Sequence, residues 1–86
     1  MAQIRYTAAA LKALARMPRN VAERIRAKIV ELAADPAAAR NVKKLQAREG
    51  YRLRVGDWRV IYKLDEETGM LVVIVIDIGP RGGIYG

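Results

Sequence analysis

Tyr51-Arg52-Leu53-Arg54-Val55-Gly56-Asp57-Trp58-Arg59-Val60-Ile61-Tyr62 is the stretch whose reading decides the fold. Apolar and polar residues alternate on both sides of Gly56-Asp57, the pattern of two strands joined by a two-residue turn. Pairing Val55 with Trp58 across that turn sets the register. Arg54 then faces Arg59, Leu53 faces Val60, Arg52 faces Ile61 and Tyr51 faces Tyr62. Paired residues point to the same side of a sheet, and neighbours along a strand alternate. Arg52, Arg54 and Arg59 therefore share one face, and Tyr51, Leu53, Val55, Trp58, Val60 and Tyr62 share the other. The aromatic residues could stack on bases, but their company of Leu53 and Val60 assigns them to a core. The arginine face sets like charges side by side, which destabilises a sheet. A function or an anionic partner is the expected reason for keeping them.

Outward from this hairpin, Gln3 to Tyr6 reads as a first strand. Thr7 is a helix N-cap ahead of a stripe of Leu11, Leu14 and Met17. Pro18 punctuates and suits the first position of a second helix. That helix runs to about Ala34, with Val21, Ile25, Ile29 and Leu32 on one face, and Asp35-Pro36 ends it. Residues 35–42 form an alanine-rich connection, and Val42 to Leu45 is either a strand or an extended lead-in. Asp65 to Gly69 is read as a turn. Met70 to Ile78 is a β-branched strand, apolar on both faces, which requires cover on both sides. The helical hairpin supplies one cover; the C-terminal tail or a partner supplies the other. Asp77 falls on the arginine face if Leu64 lies opposite Met70. The order is β-α-α-β-β-β, an α+β domain over residues 1–86 with a helical hairpin packed on a small antiparallel sheet.

Composition narrows the chemistry. The 86 residues are 52% hydrophobic, enough for one modest core. Neither cysteine nor histidine occurs, so disulfides, thiolate metal sites and the commonest general base are absent. Catalysis on this chain must run on Arg, Lys, Tyr, Asp or Glu; no metal site and no cofactor are assigned. No signal peptide or membrane span is read, and the expected location is the cytoplasm. The formal charge is +7. Residues 40–63 carry Arg40, Lys43, Lys44, Arg48, Arg52, Arg54, Arg59 and Lys63 against Glu49 and Asp57, whereas residues 64–86 carry only Arg81 against Asp65, Glu66, Glu67 and Asp77. A basic band of this kind points to a polyanion. Arginine outnumbers lysine, and its planar fork matches phosphate.

The strand order, the segment Gly56-Asp57-Trp58-Arg59-Val60-Ile61-Tyr62 and the ending Ile78-Gly79-Pro80-Arg81-Gly82-Gly83-Ile84-Tyr85 together resemble the RelE/ParE superfamily of toxins from type II toxin–antitoxin systems. The likeness covers essentially the whole chain. It implies a RelE-like microbial ribonuclease fold. In the RelE branch it implies a metal-independent endoribonuclease that cuts messenger RNA on the ribosome, with contacts to 16S ribosomal RNA, and so inhibits translation. Arg59, Arg81 and Tyr85 fall where that branch carries its catalytic residues, and Arg52 and Arg54 fall on its alternating basic pair. Lys43 and Lys44 are assigned to general RNA contacts. The resemblance also implies a cognate acidic antitoxin, held in a hetero-oligomer. Pro80 stands where many members have His or Lys, and Gly82 and Gly83 replace residues that are usually charged. The alternative within the superfamily is a ParE-type toxin that inhibits DNA gyrase by protein–protein contact.

Overall fold

The hairpin adopts the register that its alternation dictates: Val55 pairs with Trp58, Arg54 with Arg59, Leu53 with Val60, Arg52 with Ile61 and Tyr51 with Tyr62. Gly56 takes a positive φ of 58°, the glycine-first arrangement of a II′ turn. A Cβ at Gly56 would also come within 2.7 Å of the Arg24 guanidinium, which lies against the turn.

The computed structural model describes residues 2–80. Its elements are β1 (Gln3–Tyr6), α1 (Ala8–Arg16), α2 (Arg19–Ala34), a 3-10 turn (Pro36–Ala38), β2 (Val42–Lys44), β3 (Tyr51–Val55), β4 (Trp58–Glu67) and β5 (Met70–Pro80). They form one five-stranded sheet in the order β1-β5-β4-β3-β2, with both helices contributing to a core on one face. The α+β class and the helical hairpin are as the sequence predicts. The open reading of Val42 to Leu45 resolves into a short strand antiparallel to β3. The sheet is mixed rather than wholly antiparallel, because β1 runs parallel to β5 at the edge. No tight turn ties β1 to a neighbour, so the residue pattern leaves its direction open.

Thr7 starts α1 as expected: its hydroxyl oxygen accepts the Ala10 N–H at 3.2 Å. The inward stripe of α1 is Ala10, Leu14 and Met17, whereas Leu11 is 48% exposed. At 3.6 residues per turn, Ala10 is aligned with Leu14 and Met17 and Leu11 is rotated off them. Pro18 caps α2 instead of opening it, and its carbonyl accepts the N–H groups of Val21 and Ala22, both at 3.0 Å. Ile25, Ile29 and Leu32 of α2 pack with Leu53, Val55, Val60, Tyr62, Val73, Val75 and Ile78 of the sheet.

The turn expected over Asp65 to Gly69 is shorter. β4 continues through Glu67, and only Thr68 and Gly69 turn, with φ of 49° and 77°. Two successive positive φ values make a two-residue I′-type turn, so both strands extend to meet it. Part of the second face of β5 is covered from within the sheet; the C-terminal tail expected there lies outside the described residues. Arg5 of β1 reaches over β5 to Glu67 of β4, at 3.0 Å. Their rungs lie at Ile74 and Met70, so the bridge passes over Val72, which is fully buried. The stems of charged side chains thus roof an apolar strand.

A β-bulge interrupts β4–β5: Tyr62 pairs with Val75 but Ile61 pairs with Asp77, leaving Ile76 as the extra residue. The Thr7 hydroxyl donates to the Ile76 carbonyl at 2.5 Å, so one side chain both caps α1 and anchors the bulge. Leu64 lies opposite Val73, not Met70. Asp77 nevertheless reaches the arginine face, because the bulge reverses its side.

Candidate functional site: a cationic sheet face

The face turned away from the helices carries four of its basic residues in two neighbouring rungs. One rung runs Lys43, Arg52, Ile61, Asp77 across β2, β3, β4 and β5; the next runs Arg54, Arg59, Gly79. Neighbouring strands lie about 4.8 Å apart, close enough for these cations to converge on one phosphate group or on successive ones. Lys43, Arg52, Arg54 and Arg59 do converge: with Asn41 and Val42 they line a concavity of about 310 Å³. Arg54 and Lys43 are exposed, Arg52 and Arg59 half-buried. Ile61 is buried beneath them as an apolar floor. That floor supports the arginine stems.

Lys44 does not join this group. It pairs with Tyr51 and so takes the opposite parity from Lys43. It borders a neighbouring groove of about 210 Å³ with Leu45 and Gln46, which shares Lys43 and Arg52 with the concavity. Arg81 and Tyr85 lie outside the described residues; in sequence Arg81 directly follows Pro80, the last residue of β5. Asp77 sits on the same face, and its Oδ1 accepts the Ile78 N–H at 2.8 Å, which fixes the carboxylate's orientation.

The described tyrosines belong to the opposite face. Tyr62 is 2% exposed and stacks on Tyr51, ring centroids 5.5 Å apart. Burial, helped by the neighbouring Tyr51, pushes the Tyr62 phenol up to about 12. Tyr6 is raised too, by burial, against the opposing pull of Arg26, whose guanidinium lies 5.4 Å from the ring centre. Neither is placed or tuned to accept a proton at the arginine face. Among the described residues no group of His, Cys, Asp or Glu is arranged to hold a metal ion.

Asn41 carries no charge and belongs to no motif, yet it shapes the site. It takes φ 61° and its carbonyl accepts the Arg54 N–H at 2.9 Å, which turns the chain into β2 beside the concavity. Asparagine after an alanine-rich connection is a signal for this left-handed conformation, so its role is legible in principle from the residue type.

A family model described as ParE toxin of type II toxin-antitoxin system, parDE, matches residues 4–85. No curated protein matches the sequence. Among solved structures, the chain is 26% identical to a chain of the archaeal RelE–RelB complex from Pyrococcus horikoshii OT3, with a TM-score of 0.76 over 96% of this chain and 98% of that one. It is 25% identical to a chain of the intact E. coli RelBE toxin–antitoxin complex, with a TM-score of 0.75 over 94% and 98%. The YoeB/ParE toxin from Agrobacterium tumefaciens shares the fold at 15% identity, with a TM-score of 0.75 over 92% and 98%.

Proposed function

The chain belongs to the ParE toxin family of type II toxin–antitoxin systems, and from that premise we propose that this toxin is a metal-independent endoribonuclease that cuts messenger RNA and so halts translation. The observation that carries this reading is the concavity in which Lys43, Arg52, Arg54 and Arg59 meet on a rigid sheet. The similarity to RelE chains supports it. Four cations on one face suit a run of phosphates, whose charge and geometry the guanidinium fork matches.

RNA carries its own nucleophile. The 2′-hydroxyl attacks the adjacent phosphorus, the bond to the 5′-oxygen of the next nucleotide breaks, and a 2′,3′-cyclic phosphate and a 5′-hydroxyl result. The 2′-proton goes to a base, and a proton is delivered to the leaving oxygen. Arg52, Arg54 and Arg59 neutralise the non-bridging oxygens as charge builds on the phosphorane, and the sheet holds them in place before substrate arrives. Arginine effectively never deprotonates, so these residues stabilise charge and move no proton. Tyr85 is assigned to proton transfer and Arg81 to the phosphate. The chemistry is slow unless the ribosome presents the messenger RNA in line, which places the reaction in the cytoplasm.

Brief induction in cells, followed by primer extension on messenger RNA beside a gyrase supercoiling assay, tests the proposal. Cuts within coding regions, ending in 2′,3′-cyclic phosphate, are expected. Intact transcripts with double-strand DNA breaks would overturn it in favour of gyrase inhibition, the reading that the ParE description of the family favours.

A further inference from the structure

A second hollow adjoins the cationic concavity, and the two share Asn41 and Arg54. It measures about 330 Å³ and lies between the end of α2, the 3-10 turn and β3. Its floor is apolar: Leu32 and Leu53 are both buried. Its rim is polar, with Lys28, Glu31, Asp35 and Arg40 joining Asn41 and Arg54. An apolar floor with a few convergent polar groups, at this volume, is the form of a small-molecule pocket. A nucleobase needs both parts, a flat apolar surface for its ring and donors and acceptors for its edge.

We infer that this hollow is a base-recognition pocket for the nucleotide whose phosphate lies in the adjoining concavity, and that it favours guanine. The inference rests on the RNA-binding reading above and extends it to sequence preference. Three features carry it. Arg54 lines both hollows, so a phosphate held on its guanidinium leaves the attached nucleoside beside the second one. Glu31 and Asp35 place two carboxylate acceptors on the rim among Lys28, Arg40 and Arg54. Guanine presents adjacent N–H donors on its pairing edge, which one carboxylate can take together, while its O6 and N7 acceptors suit an arginine such as Arg40. Uracil offers a single ring N–H and no amino group. Glu31 meets Lys28 at 3.5 Å, both groups well exposed. An exposed pair of this kind is weak and yields readily to a ligand.

The test uses the purified 86-residue chain and 2′-O-methylated tetranucleotides, which cannot be cleaved, with guanine or uracil at each position in turn. Fluorescence anisotropy at low salt reads their affinity. At one position guanine should bind at least fivefold more tightly than uracil. Glu31→Gln combined with Asp35→Asn should abolish that preference without weakening the uracil series, and Arg54→Ala should weaken both series. Equal affinity for the two bases, with Arg54→Ala still weakening both, would overturn the pocket and leave the RNA-binding reading standing. A preference that survives the double substitution would also overturn it. Failure of every oligonucleotide to bind would overturn both readings.

Discussion

Arg54 stands directly opposite Arg59 across the hairpin, and a directly opposed pair of like charges opposes folding. Under the proposed function the pair serves to bind phosphate, so stability and activity should part there. Arg54→Thr should raise the unfolding free energy by roughly 0.5 kcal/mol and lower RNA cleavage at least tenfold; chemical denaturation and a cleavage assay on one preparation check both. Gly50 is constrained in the opposite sense. It takes φ 124°, and a Cβ there would lie 2.8 Å from the Tyr62 carbonyl oxygen, a backbone atom that cannot swing aside. Gly50→Ala should therefore cost about 2–4 kcal/mol, read as a fall in the denaturation midpoint. Tyr62 gives a pH signature. Its phenol ionises near pH 10 in the unfolded chain and near 12 in the folded one. The folded state binds this proton more tightly, so stability is unaffected below about pH 10 and declines from there to about pH 12. At most ~2.7 kcal/mol is at stake. Tyr62→Phe should flatten that decline in denaturation measured from pH 9 to 12.

Thr7 joins two elements through one hydroxyl, which accepts from Ala10 and donates to Ile76. Thr7→Ala removes the cap of α1 and the anchor of the bulge together and should cost about 2 kcal/mol, whereas Thr7→Ser should recover most of it; thermal unfolding of the three proteins compares them. The β4–β5 turn holds the opposite opportunity. Thr68 is β-branched and sits at φ 49°, a conformation that Asn adopts far more readily. Thr68→Asn should stabilise the hairpin by about 0.5–1 kcal/mol. These elements also separate what the residue pattern encodes locally from what only the folded chain decides. The β3–β4 register is legible in the sequence because alternation and a two-residue turn determine it together. The turn after β4 is longer on paper than in the fold, because Asp65, Glu66 and Glu67 look like loop residues although they continue a strand that projects toward solvent. The parallel β1 and the bulge at Ile76 are not legible at all, since both are set by contacts between residues about seventy positions apart. At the candidate site, parity and charge suffice to group Arg52, Arg54 and Arg59, whereas Lys43 joins them only once β2 pairs with β3. Lys44 groups with them only by adjacency, and the strand's alternation separates it.

At the scale of the molecule the cationic concavity occupies one end of this face, while toward the other end Asp65 and Glu67 are accompanied by Lys63 and Arg5. RNA binding should therefore depend on salt through the concavity's own residues. Four neutralised phosphates on a single strand give a slope of log affinity against log salt of about −3, and Arg52→Ala should reduce its magnitude by about 0.7. The same face calls for an anionic complement when no RNA is present. A second surface offers an apolar complement: a groove of about 400 Å³ is lined by Val42, Tyr51, Leu64, Leu71 and Pro36, with Leu71 38% exposed. Both surfaces adjoin β2, an edge strand. A cognate antitoxin with an acidic segment that folds on binding can span them by crossing that edge, pairing its charge with Arg52 and Arg54 and its apolar residues with the groove. The two contributions respond differently to salt, because exposed charge pairs are screened and apolar burial is not. The complex should thus weaken between low salt and about 1 M salt but persist there, and Leu71→Asp should lower its affinity in high salt far more than Arg52→Ala does. Titration calorimetry of the toxin with its antitoxin at both salt concentrations measures this. Complete dissociation of the unmodified pair at the higher concentration would show that charge alone holds it, and would remove the groove from the interface.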